Sequence, residues 1–79
     1  MAEFSNYEFV STVAFCESAR VLNSFAALSH RQALIAAIVL NRADWLWDQS
    51  YTIVTAMREL GPAGLALVYA VEQVVCRGS

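Results

Sequence analysis

The sequence predicts an all-α fold, a small four-helix bundle that pairs with a second copy. Three observations carry that expectation. Apolar residues recur at helical spacing along the whole chain, and no segment shows the period-2 alternation or turn dipeptides of a hairpin. Two segments, Ser5–Glu8 and Ser29–Gln32, have the form of a helix-capping box. The 79 residues are 58% hydrophobic and only 15% charged, where an ordinary domain carries about 25% charge. A monomer of this size exposes roughly 4,700 Å², more than seven acids and five arginines can cover. Small cores also hold only a few kcal/mol without disulfides, metal or association. A homodimer is therefore expected, and a subunit of a hetero-assembly satisfies the same physics.

The elements follow in order, with one domain over residues 1–79. In Ser5-Asn6-Tyr7-Glu8, Ser5 is placed to accept from the amide of residue 8 while Glu8 reaches back, and Phe4 and Phe9 fit a hydrophobic staple. Helix 1 is expected over about 6–28. Phe9, Val13 and Cys16 fall on one side of it, and Val10, Ala14, Val21 and Phe25 on another, so one chain cannot easily cover both. Ser29-His30-Arg31-Gln32 opens helix 2, expected over 30–40. Asn41-Arg42-Ala43-Asp44 reads as a further start, with Asn41 as cap and Asp44 and Asp48 favourable near the new N-terminus. If residues 30–60 are instead continuous, the bundle has three helices.

Helix 3, expected over 42–60, is the most amphipathic. Ala43, Leu46, Trp47, Ile53, Val54, Met57 and Leu60 lie on one arc and predict its core side. Asp44, Asp48, Gln49, Thr52, Thr55 and Glu59 lie on the other, with Trp45 among them. Gly61 suits the position after a helix end and Pro62 the first position of helix 4, expected over 62–76. The first ten residues of helix 4 carry no charge on any face, which makes it a central core helix or a self-association helix. Its contact set for a second copy is Ala63, Gly64, Leu67, Ala70 and Val71, whose small members let another helix approach closely.

No feature of this sequence signals catalysis. His30 is the sole histidine. A nucleophile–base pair with Cys16 or Cys76 is chemically reasonable, but nothing near in sequence is placed to orient the ring. Asp44 and Asp48 alone do not make a metal site, and two cysteines 60 residues apart signal neither zinc ligation nor a disulfide framework. Gly61-Pro62-Ala63-Gly64 lacks the lysine and hydroxyl residue of a phosphate loop. No cofactor and no metal is expected.

The net charge is −2, and Arg20, Arg31, Arg42, Arg58 and Arg77 form no stripe, which argues against nucleic acid. The apolar runs Ala33–Leu40 and Leu65–Val71 fall short of a bilayer span, no basic-then-apolar leader is present, and a cytoplasmic setting with both cysteines buried and reduced is expected.

The function these features predict is stoichiometric: a non-catalytic protein–protein interaction module, working as an adaptor, assembly factor or small inhibitor through an apolar helical surface. Trp45 is the expected anchor, with Arg42, Asp44, Asp48 and Arg58 setting register. The alternative is a dimeric regulatory or nucleic-acid-associated protein whose arginines pair through two-fold symmetry.

Overall fold

The computed structural model describes residues 5–77. It contains four α-helices, α1 (Asn6–Leu22), α2 (His30–Val39), α3 (Ala43–Asp48) and α4 (Ile53–Glu72), followed by a π-helical turn (Gln73–Arg77). No strand occurs among the described residues. The all-α expectation holds, and the helix starts at Asn6 and His30 are those the caps predict.

The two serine caps differ in completeness. Ser29 accepts from the Gln32 amide at 3.3 Å while the Gln32 side chain accepts from the Ser29 amide at 3.0 Å, so the predicted box is whole. At Ser5 only half forms, with the Glu8 amide donating to Ser5 Oγ at 3.1 Å. The Glu8 carboxylate instead lies 4.0 Å from an Arg31 guanidinium nitrogen on α2. The staple partner Phe4 lies outside the described residues.

α1 is shorter than the predicted 6–28. It ends at Asn23, whose left-handed backbone (φ 54°) lets its amide donate to the Ala19 and Arg20 carbonyls. Asparagine tolerates that conformation better than other non-glycine residues. The chain then turns through Ser24–Leu28 before α2.

The break near Asn41 is present, and residues 30–60 are not one helix. Asn41 has φ 58°, and it acts at the end of α2 and not as the cap of α3, where Arg42 stands. The predicted helix over 42–60 is overturned. α3 stops at Asp48, Ser50 takes φ 65°, and α4 starts afresh from Thr52. There Thr52 and Thr55 cap each other reciprocally, the amide of Thr55 donating to Thr52 Oγ1 at 3.1 Å and the amide of Thr52 to Thr55 Oγ1 at 2.8 Å. Gly61 carries φ 71° as its predicted place requires, but α4 bends there and resumes through Pro62, so 53–72 is a kinked helix.

α2 is the hub of the core, and Ala33 to Ala37 and Val39 are all buried. It packs against α1, α3 and α4. Around it close Cys16 and Ala19 from α1, Trp45 and Leu46 from α3, and Ala56, Leu60, Leu67, Val68 and Val71 from α4. The Cα radius of gyration, 11.5 Å, equals the ~11.6 Å expected of a folded chain this long. The surface, 4927 Å², is also close to the monomer expectation of roughly 4,700 Å². The apolar surplus read from composition is therefore exposed on a chain that has already closed on itself.

Candidate interaction surface

The residues expected to bind a partner are divided by the structure into an internal clamp and two exposed positions. Arg42, at the start of α3, grips Asp44 with a forked pair of hydrogen bonds, Nε to Oδ1 at 3.1 Å and Nη2 to Oδ2 at 2.9 Å. Its Nη1 donates to Asn23 Oδ1, tying α3 to the end of α1. The guanidinium carbon lies 4.5 Å from the centre of the Trp45 ring, within cation–π range. Trp45 in turn packs on Phe25 with ring centres 5.5 Å apart and tilted by 54°. The Arg42 hydrogen bond holds the Asp44 carboxyl below its ordinary range, and Asp44 raises Arg42 reciprocally. Asp48 and Arg58 are exposed.

Trp45 is thus not the outward aromatic that the sequence suggested. It is 3% exposed and belongs to the core. Trp47, predicted to be core, is 75% exposed. The exchange follows from the break at Gln49–Thr52, because the apolar arc was drawn on one uninterrupted helix. α3 by itself buries Trp45 and Leu46, and the first arm of α4 buries Ala56 and Leu60. Of the arc expected to face the core, Ala43, Trp47, Ile53, Val54 and Met57 are exposed.

That outward arc is the first candidate surface. Beside it lies an apolar groove of about 120 Å³, lined by Ala37, Ile38, Ala43, Leu46 and Ile53 together with Asn41 and Arg42. Trp47 on α3 and Ile53 and Val54 at the start of α4 are bare aromatic and β-branched side chains of the kind that mark contact sites.

The second is the outer side of α1. At about 100° per residue, Tyr7, Val10, Ala14 and Val21 fall within a narrow stripe, and all are exposed, Tyr7 by 81% and Val21 by 77%. The opposite side carries Thr12, Cys16 and Ala19, all buried. The two-sided character read for this helix is therefore present, with one side filled by the chain's own core and the other left bare.

The self-association set on the last helix is redistributed. Gly64, Leu67 and Val71 are buried inside the chain, Ala70 is half-buried, and Ala63 alone is exposed. A Cβ built on Gly64 would sit 2.8 Å from Leu60 Cβ and 3.3 Å from Arg31 Nη2. The small residue is used for contact within the fold, and this part of α4 is the central core helix, the other reading the sequence allowed. Tyr69 remains exposed on it. By length and composition the span Ile53–Cys76 is apolar enough to cross a membrane, which uninterrupted apolar runs did not reveal.

His30 Nε2 and the Tyr51 hydroxyl are hydrogen-bonded at 3.0 Å, with ring centres 5.2 Å apart. Cys16 is fully buried, and burial, followed by the nearby Cys76 and Glu17 charges, pushes its thiol up to about 12. Cys76, expected to be buried, is exposed. Among the described residues no group of three or more histidine, cysteine or acidic side chains could hold a metal ion. No family model, no curated protein and no solved structure matches the chain.

Proposed function

We propose that this chain is a non-catalytic, stoichiometric interaction module that binds another protein through the outer arc of α3 and α4, with Trp47 as its anchor. Adaptor, assembly factor and small inhibitor are the roles such a module fills. The observation that carries the reading is the bare arc of Ala43, Trp47, Ile53, Val54 and Met57 next to an apolar groove. A tryptophan left three-quarters exposed in such surroundings gains most when a partner covers it. The homodimeric state belongs to the same proposal, with the stripe Tyr7, Val10, Ala14 and Val21 as the surface that meets its copy. So does a cytoplasmic setting, where thiols stay reduced.

The arginine-based alternative draws less support, because Arg20 is paired with Glu17, Arg31 lies near Glu8, and Arg42 is committed to Asp44, Asn23 and Trp45. Light scattering across a dilution series, with far-UV circular dichroism, tests the association. The wild-type chain is expected at twice the chain mass, and Val10→Glu/Val21→Glu at the chain mass with helicity kept. Trp47→Ala should leave that mass unchanged. A photo-crosslinking residue at position 54, which leaves Trp47 in place, should mark a partner protein in a lysate of the source cells, and competition with unlabelled wild-type chain, but not with Trp47→Ala, should erase the adduct. A wild-type monomer at every concentration refutes the homodimer, and adducts that Trp47→Ala competes equally well refute the anchor.

A further inference from the structure

Cys16 lies on the inner side of α1, fully buried in the same core as Val39, Val71 and Val75. Cys76 lies in the terminal π-helical turn, which packs against both α1 and α4. The residue is exposed, yet its Sγ is turned inward and donates to the carbonyl oxygen of Val39 on α2 at 3.2 Å. The Cys76 sulfur thus reaches the backbone of a residue in the core cluster that also holds Cys16, and the turn that carries it packs against the helix that carries Cys16.

We propose that Cys16 and Cys76 form an oxidation-sensitive thiol pair, which a hydroperoxide closes into an intramolecular disulfide tying α1 to the end of the chain.

The chemistry divides between them by exposure. Cys76, reachable from solvent, attacks the peroxide oxygen as thiolate; the O–O bond breaks, hydroxide leaves, and Cys76 becomes a sulfenic acid. Cys16 then attacks that sulfur, the S–S bond forms as the S–O bond breaks, and the Cys16 proton leaves with the hydroxyl as water. In sum two thiols lose two electrons and one peroxide is reduced to two waters. Cys16 reacts second because only its thiolate is a nucleophile, and burial, with the Cys76 charge adding to it, pushes its thiol up to about 12. Closure should accordingly speed up as pH rises. The inference does not depend on the proposed interaction surface.

The test uses the full reduced chain, treated with hydrogen peroxide, then unfolded in denaturant, blocked with an alkylating agent and weighed intact. Trypsin cuts after Arg20, Arg58 and Arg77, so the bond appears as peptide 1–20 linked to peptide 59–77. The expected result is loss of both alkylatable thiols together, a mass lower by about 2 Da for two hydrogens, a product the size of one chain, and full reversal by dithiothreitol. In Cys16→Ala, Cys76 should stop at a sulfenic acid that dimedone traps. In Cys76→Ser, Cys16 should stay reduced and alkylate only after unfolding. If either variant fails to fold, the wild-type peptide map decides alone. Disulfide-linked pairs of chains, or Cys76 driven to sulfinic acid while Cys16 stays alkylatable, would overturn the proposal.

Discussion

Replacing Trp45 with alanine should unfold much of this protein, and the same change two residues later should scarcely be felt. Trp45 is buried to 97% by its 3% exposure, with Phe25 against its ring and the Arg42 guanidinium over it. Truncating a buried tryptophan to alanine costs about 3–5 kcal/mol in lost transfer energy and cavity. The tilted ring pair and the cation–π contact are each worth ~0.5–1.5 kcal/mol and fall partly within that figure. A chain of this length holds only about 4–12 kcal/mol in total, so Trp45→Ala removes between about a quarter and all of it. The melting temperature should fall by roughly 12 °C or more, since a domain this small loses ~4–8 °C per kcal/mol. Trp47, three-quarters exposed, should lose no more than ~0.5 kcal/mol as alanine. Urea titration of both variants followed by circular dichroism measures the two losses. With each variant retaining one tryptophan, iodide should quench the Trp47 emission strongly and the Trp45 emission weakly. A Trp45→Ala loss under 1 kcal/mol, or a larger loss from Trp47→Ala, refutes the placement of α3 on which the interaction surface rests.

Other outcomes follow from single residues. Gly64→Ala should lower the urea midpoint by the equivalent of ~1 kcal/mol or more, because the new Cβ meets Leu60 Cβ at 2.8 Å and crowding outweighs the helix preference of alanine; a gain would show that the bend at Gly61 can open to move Leu60 away. Ser50→Gly should stabilise by about 0.5 kcal/mol, relieving an L-residue at φ 65°, and a loss would mean that the serine side chain has a role the backbone does not require. Asp44 has a folded-state pKa below its ordinary value of 3.8, so its contribution is complete above that value and disappears as pH falls through the lower one. The gap in urea midpoint between wild type and Asp44→Asn should thus be open at neutral pH and close in strong acid. A gap unchanged down to about pH 2 would deny that the carboxylate charge is what Arg42 holds.

Much of the fold was legible because capping chemistry is local. A serine followed three residues later by Glu or Gln marks a helix start within four residues of sequence, and both such marks fell where α1 and α2 begin. The start of α4 escaped because Thr52-Ile53-Val54-Thr55 performs the same reciprocal capping with a second threonine, which carries no acid or amide to announce it. Asn23 and Asn41 offered a signal, since asparagine is the residue that tolerates left-handed backbone; Ser50 offered none. One missed break then propagated. An arc drawn across 42–60 assumed a fixed rotational phase, and losing four residues of helix exchanged the roles of Trp45 and Trp47 and turned Ile53, Val54 and Met57 outward. The Arg42 clamp was out of reach for another reason, because Asn23, which Arg42 holds, and Phe25, which packs on Trp45, lie far along the chain and come near only when α1 stops early. What composition did reveal, more apolar surface than one chain covers, is what the exposed arc and stripe now locate.

The bend at Gly61 has a dynamic consequence. Ahead of it, the arm Ile53–Leu60 buries only Ala56 and Leu60, while beyond it the helix is anchored in the core through Gly64, Leu67, Val68 and Val71. Pro62 carries no amide hydrogen to bond back across the bend. The two arms should behave as separate foldons, with the amides of the first exchanging through a low-energy opening and those of the second exchanging only as the whole molecule unfolds. The segment bearing Ile53, Val54 and Met57 would then be the part of the surface that fluctuates, and a bound partner would register first as slowed exchange in this one arm.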